Sequence, residues 1–270
     1  MKIKILGSGG AIPTPRPLCD CKICQQARSK GIPYKRNSCS IYVEDTKTLI
    51  DCPEDIADSL NRENITKVNN LLITHWHPDH TFGLRVLLEA NYDFIHRKTI
   101  KKIDVYIPTK VYEVLKEKYP IISYLINVLG VASLHLVEDG EIIDFGGTIV
   151  KVVGYNGKNS EIYAYLFKSQ GKKILFVVCD SINFKREEEF KNLDLLVHEC
   201  GMFSYDIIKH EISFPDMIKR VKGMSPNKTV LLHIEEVELK SHGFDKIKQL
   251  EEENKHLNTT FGYDGQKIII

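Results

Sequence analysis

The order of apolar runs predicts an α/β protein, a sandwich of mixed β-sheets flanked by helices and folded as one domain over residues 1–270. Three observations lead there. Short runs rich in β-branched and aromatic residues recur along the whole chain, and amphipathic stretches with helical spacing lie between many of them. The centre, 131–178, carries several strand-like runs in succession with little helix between. Strands that follow one another without crossover helices argue against a purely parallel, doubly wound sheet.

Taken in order, the strand runs are KIKIL at the start, then 38–43, 71–74, 103–108, 148–153, 162–167, 173–178, 193–198 and 229–233. LLIT, ILFVV and TVLLH are apolar at every second position and between, as expected of strands covered on both faces. Helical spacing fits 82–90, 111–118, 214–221 and 244–254. No linker-like Gly/Ser/Pro tract, low-complexity stretch or readable internal repeat divides the chain.

Hydrophobic residues make up 43% of the 270, enough for a full core without disulfides. Lys and Arg number 37 against 36 acids, a net charge of +1. A dedicated nucleic-acid binder draws most of its affinity from a basic excess, which is missing here, so a small substrate is favoured over nucleic acid. The opening MKIKILGSGG alternates like a strand, and no apolar run reaches membrane-spanning length. A soluble, cytoplasmic protein with no membrane partner is therefore expected; a homodimer is compatible with the sequence. Of the 7 cysteines, Cys19, Cys21 and Cys24 crowd into one short segment. In a reducing compartment that spacing points to metal ligation rather than to a disulfide framework.

The sharpest feature is His75-Trp76-His77-Pro78-Asp79-His80, between the strand LLIT and a helix. His75 and His77 stand two apart on extended chain, so their rings project to one side. Pro78 turns the chain, and Asp79 and His80 open the helix toward a second point. Imidazole and carboxylate are the donors that Zn²⁺ and similar borderline cations favour.

This HxHxDH pattern resembles the metallo-β-lactamase superfamily, and the resemblance runs over most of the chain. Leu49-Ile50-Asp51-Cys52 is similar to the family's strand ending in Asp, ILFVVCD ends in Asp180, VLLHI presents His233, and Gly262-Tyr263-Asp264-Gly265 is similar to the ending of its phosphodiesterase branch. The resemblance implies an αββα sandwich with two divalent metals, zinc or manganese, at one edge of the sheets. His75 and His77 would bind the first metal, Asp79, His80 and His233 the second, and Asp180 would bridge. The family's third histidine on the first metal is replaced here by Asn156, whose amide oxygen is the weaker donor. His135, which lies too early in the chain, reads as an ordinary histidine.

The start Gly7-Ser8-Gly9-Gly10-Ala11 and the spacing Cys19-x-Cys21-x-x-Cys24 resemble the PhnP-type phosphodiesterases and PQQ synthesis protein B, and the segments around His198 and His210 resemble the tRNase Z and PhnP branches. The first resemblance implies one structural zinc on Cys19, Cys21 and Cys24, with Glu236 as leading fourth ligand and His242 in reserve. His198 and His210, with Glu199 beside the first, would meet the leaving group; Asp79 is the further catalytic candidate. The implied activity is hydrolysis of a small or cyclic phosphodiester by a hydroxide bridging the metals. The rivals are a tRNase Z-like endoribonuclease, a thioesterase or lactonase on the same scaffold, and a non-catalytic metal-binding accessory protein.

Overall fold

The computed structural model describes residues 1–157, 160–204 and 211–270. Its strands are β1 (Lys2–Gly7), β2 (Ser40–Val43), β3 (Thr48–Ile50), β4 (Asn70–Leu72), β5 (Tyr92–Asp93), β6 (Lys98–Thr99), β7 (Ile103–Pro108), β8 (Ala132–Val137), β9 (Ile142–Asp144), β10 (Ile149–Asn156), β11 (Glu161–Ser169), β12 (Lys172–Val177), β13 (Leu195–Glu199), β14 (Thr229–Leu232), β15 (Thr259–Phe261) and β16 (Lys267–Ile269). The helices are α1 (Lys22–Lys30), α2 (Ile56–Arg62), α3 (Pro78–Thr81), α4 (Leu84–Glu89), α5 (Thr109–Lys118), α6 (Ile121–Asn127), α7 (Phe214–Met224), α8 (Glu236–His242) and α9 (Asp245–Glu253).

Among the described residues these strands build two seven-stranded sheets, in the orders β16-β1-β2-β3-β4-β7-β8 and β9-β10-β11-β12-β13-β14-β15, with β5 and β6 a separate hairpin. In each sheet the first three pairings are antiparallel and the last three parallel. The sheets are thus mixed, as the sequence predicts. One core joins them, with Ile5, Ile41 and Leu71 of the first sheet clustered with Tyr165, Phe167 and Phe176 of the second. A second core lies between the second sheet and α1, α7, α8 and α9. Helix α7 shows why it docks there: Phe214, Met217, Ile218, Val221 and Met224 form one buried stripe, and Ser213 caps its first turn.

The helix expected over 82–90 begins at Leu84. The Gly83 amide donates to the Cys52 carbonyl (2.9 Å) instead of continuing a helical ladder. A Cβ there would lie 2.1 Å from the Pro53 carbonyl oxygen, so only glycine lets the chain approach so closely. Elements the sequence did not reveal, such as α1, β15 and β16, are mostly too short to show a period.

Both ends of the chain meet around Asp264. Its carboxylate accepts from the Ser8 amide (3.0 Å), the Ser8 hydroxyl (2.7 Å) and the Asn37 amide (2.8 Å), with Arg62 Nη1 at 3.5 Å. This ties the glycine-rich turn after β1 to the strand-end loops; Gly9 in turn bridges Ile234, next to His233. Asp264→Ala strands those buried donors and should lower unfolding stability by about 3–5 kcal/mol, the cost of breaking a buried charge network. Chemical denaturation of the variant is the check, and a loss below about 1 kcal/mol, the scale of an exposed ion pair, would mean that water replaces the carboxylate.

Candidate metal centre

Parallel strands end on the same side of a sheet, and the chemistry-bearing residues stand just past those ends. Asp51 follows β3, His75 and His77 follow β4, Asp180 follows β12 and His233 follows β14. Asp51, Asp180 and His233 all adopt positive φ, at 60°, 43° and 59°. For residues with a Cβ that is strained backbone, and such strain collects where a site needs a side chain aimed.

One carboxylate orients two imidazoles. Asp51 accepts from the Thr74 amide (2.8 Å), the Thr74 hydroxyl (2.7 Å) and His80 Nδ1 (2.7 Å). Because the Thr74 hydroxyl donates to Asp51, it is free to accept from His75 Nδ1 at 3.0 Å. Both rings therefore carry their proton on Nδ1 and turn Nε2 toward the centre, the tautomer that metal-binding histidines take. His75 Nε2 then sits 2.9 Å from His77 Nδ1, and His80 Nε2 sits 3.3 Å from His233 Nε2.

The donor atoms converge in two groups, His75–His77–Asp180 and Asp79–His80–His233, each with all its atoms within 4.8 Å of one another. His80 and His233 lie 3.1 and 3.6 Å from Asp79 Oδ2. Burial disfavours a charge on His80, yet Asp79 and Asp51 push its pKa up to about 10. The same site that draws a proton to His80 Nε2 draws a divalent cation. Asp51, Asp79, Asp180, Glu199, Glu211 and Glu235 are all buried around four histidines, a surplus of negative charge that cations would balance. Lone pairs aimed at shared points, fixed tautomers and excess carboxylate all fit metal ions.

Other expected residues fall differently. His198 is fully buried, its Nδ1 donating to the Glu199 carbonyl (2.7 Å) and its Nε2 accepting from Arg220 (3.1 Å). Burial first, then Arg220, drives its pKa down to about 3. It is neutral and has no free nitrogen, so the expectation that it protonates a leaving group is corrected to a bracing role beneath the loops. Glu199 accepts from the Ser181 amide and hydroxyl (2.8 and 2.6 Å), fixing the turn that carries Asp180. Asn156 ends β10 as an exposed residue opposite Glu161. His210 lies outside the described residues. His135 pairs with Asp104 and stacks on Tyr106, away from the centre, as expected.

A second centre gathers Cys19, Cys21, Cys24 and Glu236, with their ligand atoms within 4.8 Å. The segment is not all loop: Cys21 caps α1 and Cys24 lies in its first turn, facing the start of α8. Glu236 Oε1 stands 3.6 Å from Cys24 Sγ and accepts from Lys240 (2.8 Å), while the buried Oε2 has no hydrogen-bond partner. Three sulfurs beside a buried carboxylate, whose Oε2 has only Arg16 nearby at 3.8 Å, fit one closed tetrahedral zinc site. His242, the reserve ligand, faces Glu238 instead, at 3.8 Å.

Two mixed sheets with His and Asp donors converging at the strand ends define a metal-dependent hydrolase scaffold. Residues 46–234 match the family model described as a β-lactamase superfamily domain, and the chain belongs to that superfamily, with the metallo-β-lactamase fold. It is 25% identical to a solved diphosphatase of the PhnP family, covering 99% of this chain and 96% of that one with a TM-score of 0.77. Zn²⁺-bound PqqB from Methylobacterium extorquens superposes with a TM-score of 0.82 over 100% of both chains at 15% identity, a likeness of fold alone. Ribonuclease Z of Picrophilus torridus is 24% identical over 69% of this chain, which spans only 54% of that relative's length. Among the described residues, no helix is long and apolar enough to cross a membrane.

Asp51 and Thr74 went unassigned in the sequence because their work is indirect. Asp51→Asn should weaken zinc binding at the His/Asp centre by about 10–100-fold, the usual cost of losing a carboxylate behind a ligating histidine. Calorimetric titration checks this, and unchanged affinity would mean that the rings are held by packing. Cys21→Ser should lose about one zinc per chain and lower the melting temperature, since binding energy at a closed thiolate site is folding energy. Equal zinc content and melting temperature in the two proteins would leave the cysteines as free thiols.

Proposed function

We propose that the chain is a metal-dependent phosphodiesterase acting on a small or cyclic phosphodiester. The observation that carries this reading is the pair of His/Asp donor groups meeting at the strand ends. The resemblance to a PhnP-family diphosphatase along the whole chain, and the absence of a basic excess, support it. His75 and His77 would hold one cation and Asp79, His80 and His233 the other, with Asp180 between them and Asn156 at the rim of the first. Bound zinc or manganese would supply an acidified water and charge neutralisation on the phosphoryl oxygens.

The protein's own contribution is orientation. Asp51 and Thr74 hold the Nδ1 protons, so that a cation displacing the proton from His80 Nε2 would meet an oriented lone pair. Asp79, held well below the usual carboxylate range against burial by His80 and His233, stays ionised. Arg220 and Glu199 lock the loop after β12, Arg220 through the Ser181 carbonyl (3.1 Å) and hydroxyl (3.0 Å). With His198 braced behind Arg220, the proton donor to the leaving oxygen is assigned to His210. The cysteine centre is structural, holding α1 against α8.

The Ribonuclease Z relatives motivate the one rival that the assay must include. Purified protein with added Zn²⁺ or Mn²⁺ should hydrolyse bis-aryl phosphodiesters, ribose cyclic phosphates or diphosphate esters faster than thioesters, lactones or tRNA precursors. Asp79→Ala should cost on the order of a hundredfold or more in rate, the scale of one lost charge-stabilising group. Faster turnover of a thioester or lactone would overturn the reading; preferential, strongly salt-dependent cleavage of tRNA precursors would replace it with an endoribonuclease.

A further inference from the structure

The two His/Asp groups leave one sulfur at the centre without a role. Cys179, 2% exposed, places Sγ 3.4 Å from His233 Nε2. It belongs to two donor clusters at once, His75–His80–Cys179 and Cys179–Glu211–His233, each with its ligand atoms within 4.8 Å. The remaining buried thiols are placed otherwise; Cys200, for example, has its Sγ 3.6 Å from a backbone carbonyl, that of Met202. Around Cys179 there are also unpaired polar atoms. His233 Nδ1 and Glu211 Oε2 are buried without a hydrogen-bond partner, and Glu211 Oε1 stands 3.6 Å from that nitrogen. Buried polar atoms without partners carry a desolvation cost, and a cation held between Cys179 and Glu211 would lower it for that carboxylate.

We propose that Cys179 is a thiolate ligand of the metal centre, supplying a sulfur donor beside His75, His80 and His233. The proposal rests on the metal-dependent reading of the same site. Ligation exchanges the thiol proton for the cation and releases the proton to solvent, so no oxidant is needed. Sulfur is a soft donor, and its presence shifts the centre toward zinc and away from manganese.

The full-length protein loaded with cadmium distinguishes the cases, because each sulfur ligand moves the cadmium NMR resonance strongly downfield. Wild type should show a far-downfield signal from Cys19, Cys21 and Cys24, a second of intermediate shift from one sulfur, and a third typical of nitrogen and oxygen ligands. Cys179→Ser should move only the intermediate signal into the nitrogen–oxygen range. It should also weaken zinc binding at the centre on the order of tenfold or more, with little change for manganese. Centre signals confined to the nitrogen–oxygen range in wild type would overturn the thiolate and leave the metallohydrolase reading intact. Signals from the cysteine loop alone would overturn both. The wild-type spectrum decides the matter even if the serine variant does not fold.

Discussion

The Asp51 carboxylate joins three pieces of chain: the end of β3, Thr74 after β4, and His80 on α3. Without it His75 and His80 are free to flip, and a flipped ring presents an N–H where a lone pair is needed. The aim of the donor atoms at the centre depends on those two tautomers. Asp51 is itself fully buried and in left-handed backbone, a conformation kept only because Thr74 and His80 hold its side chain.

The two halves of the protein repeat one device. Counted from the antiparallel edge, β3 and β12 are each the fourth strand of their sheet, where antiparallel pairing gives way to parallel. Asp51 and Asp180 follow these strands, and both take positive φ. No repeat is readable in the sequence because what recurs is a path, strand then sharp turn then acid, and not a string of side chains. The sheets are pinned to each other where the centre forms. Tyr163 N donates to the Thr74 carbonyl (3.0 Å), and the buried Tyr165 hydroxyl donates to the Ile73 carbonyl (2.6 Å). The first half thus supplies His75, His77, Asp79 and His80, and the second closes on them with Asp180 and His233.

Legibility followed local density. The mixed-sheet architecture was readable from the order of apolar runs and the HxHxDH segment from its density of rare residue types, whereas Asp180, His233 and Glu236 were expected from the resemblance to a family, and the structure brings them near their expected partners. The bracing of His198 was not, since its state depends on Arg220, 22 residues later on α7. The place of Cys179 beside His233 was hidden for a different reason: the two are 54 residues apart, and only the fold brings them to 3.4 Å. Glu211, Glu235 and Glu199 were invisible as a cluster because they come from separate loops and strands. Short elements such as β15 and β16 carry too few residues for a period of two to stand out.

That acid cluster shows what the centre is built to tolerate. Burial raises Glu211 well above the ordinary carboxylate range, with Glu199 next to it adding repulsion, and burial also raises Glu235. A cluster of this kind in a purely structural core would destabilise the fold, since each buried carboxylate costs several kcal/mol unless matched. Histidines supply part of the match: His233 Nδ1 faces Glu211 and Glu235 at 3.6 Å each. They do so only when charged, and the Nε2 lone pairs that aim at the centre require them neutral. Neutral, oriented imidazoles and compensated carboxylates are compatible only if the positive charge comes from ions bound at Nε2. The same carboxylates that make the centre costly without cations are therefore what would hold cations firmly there.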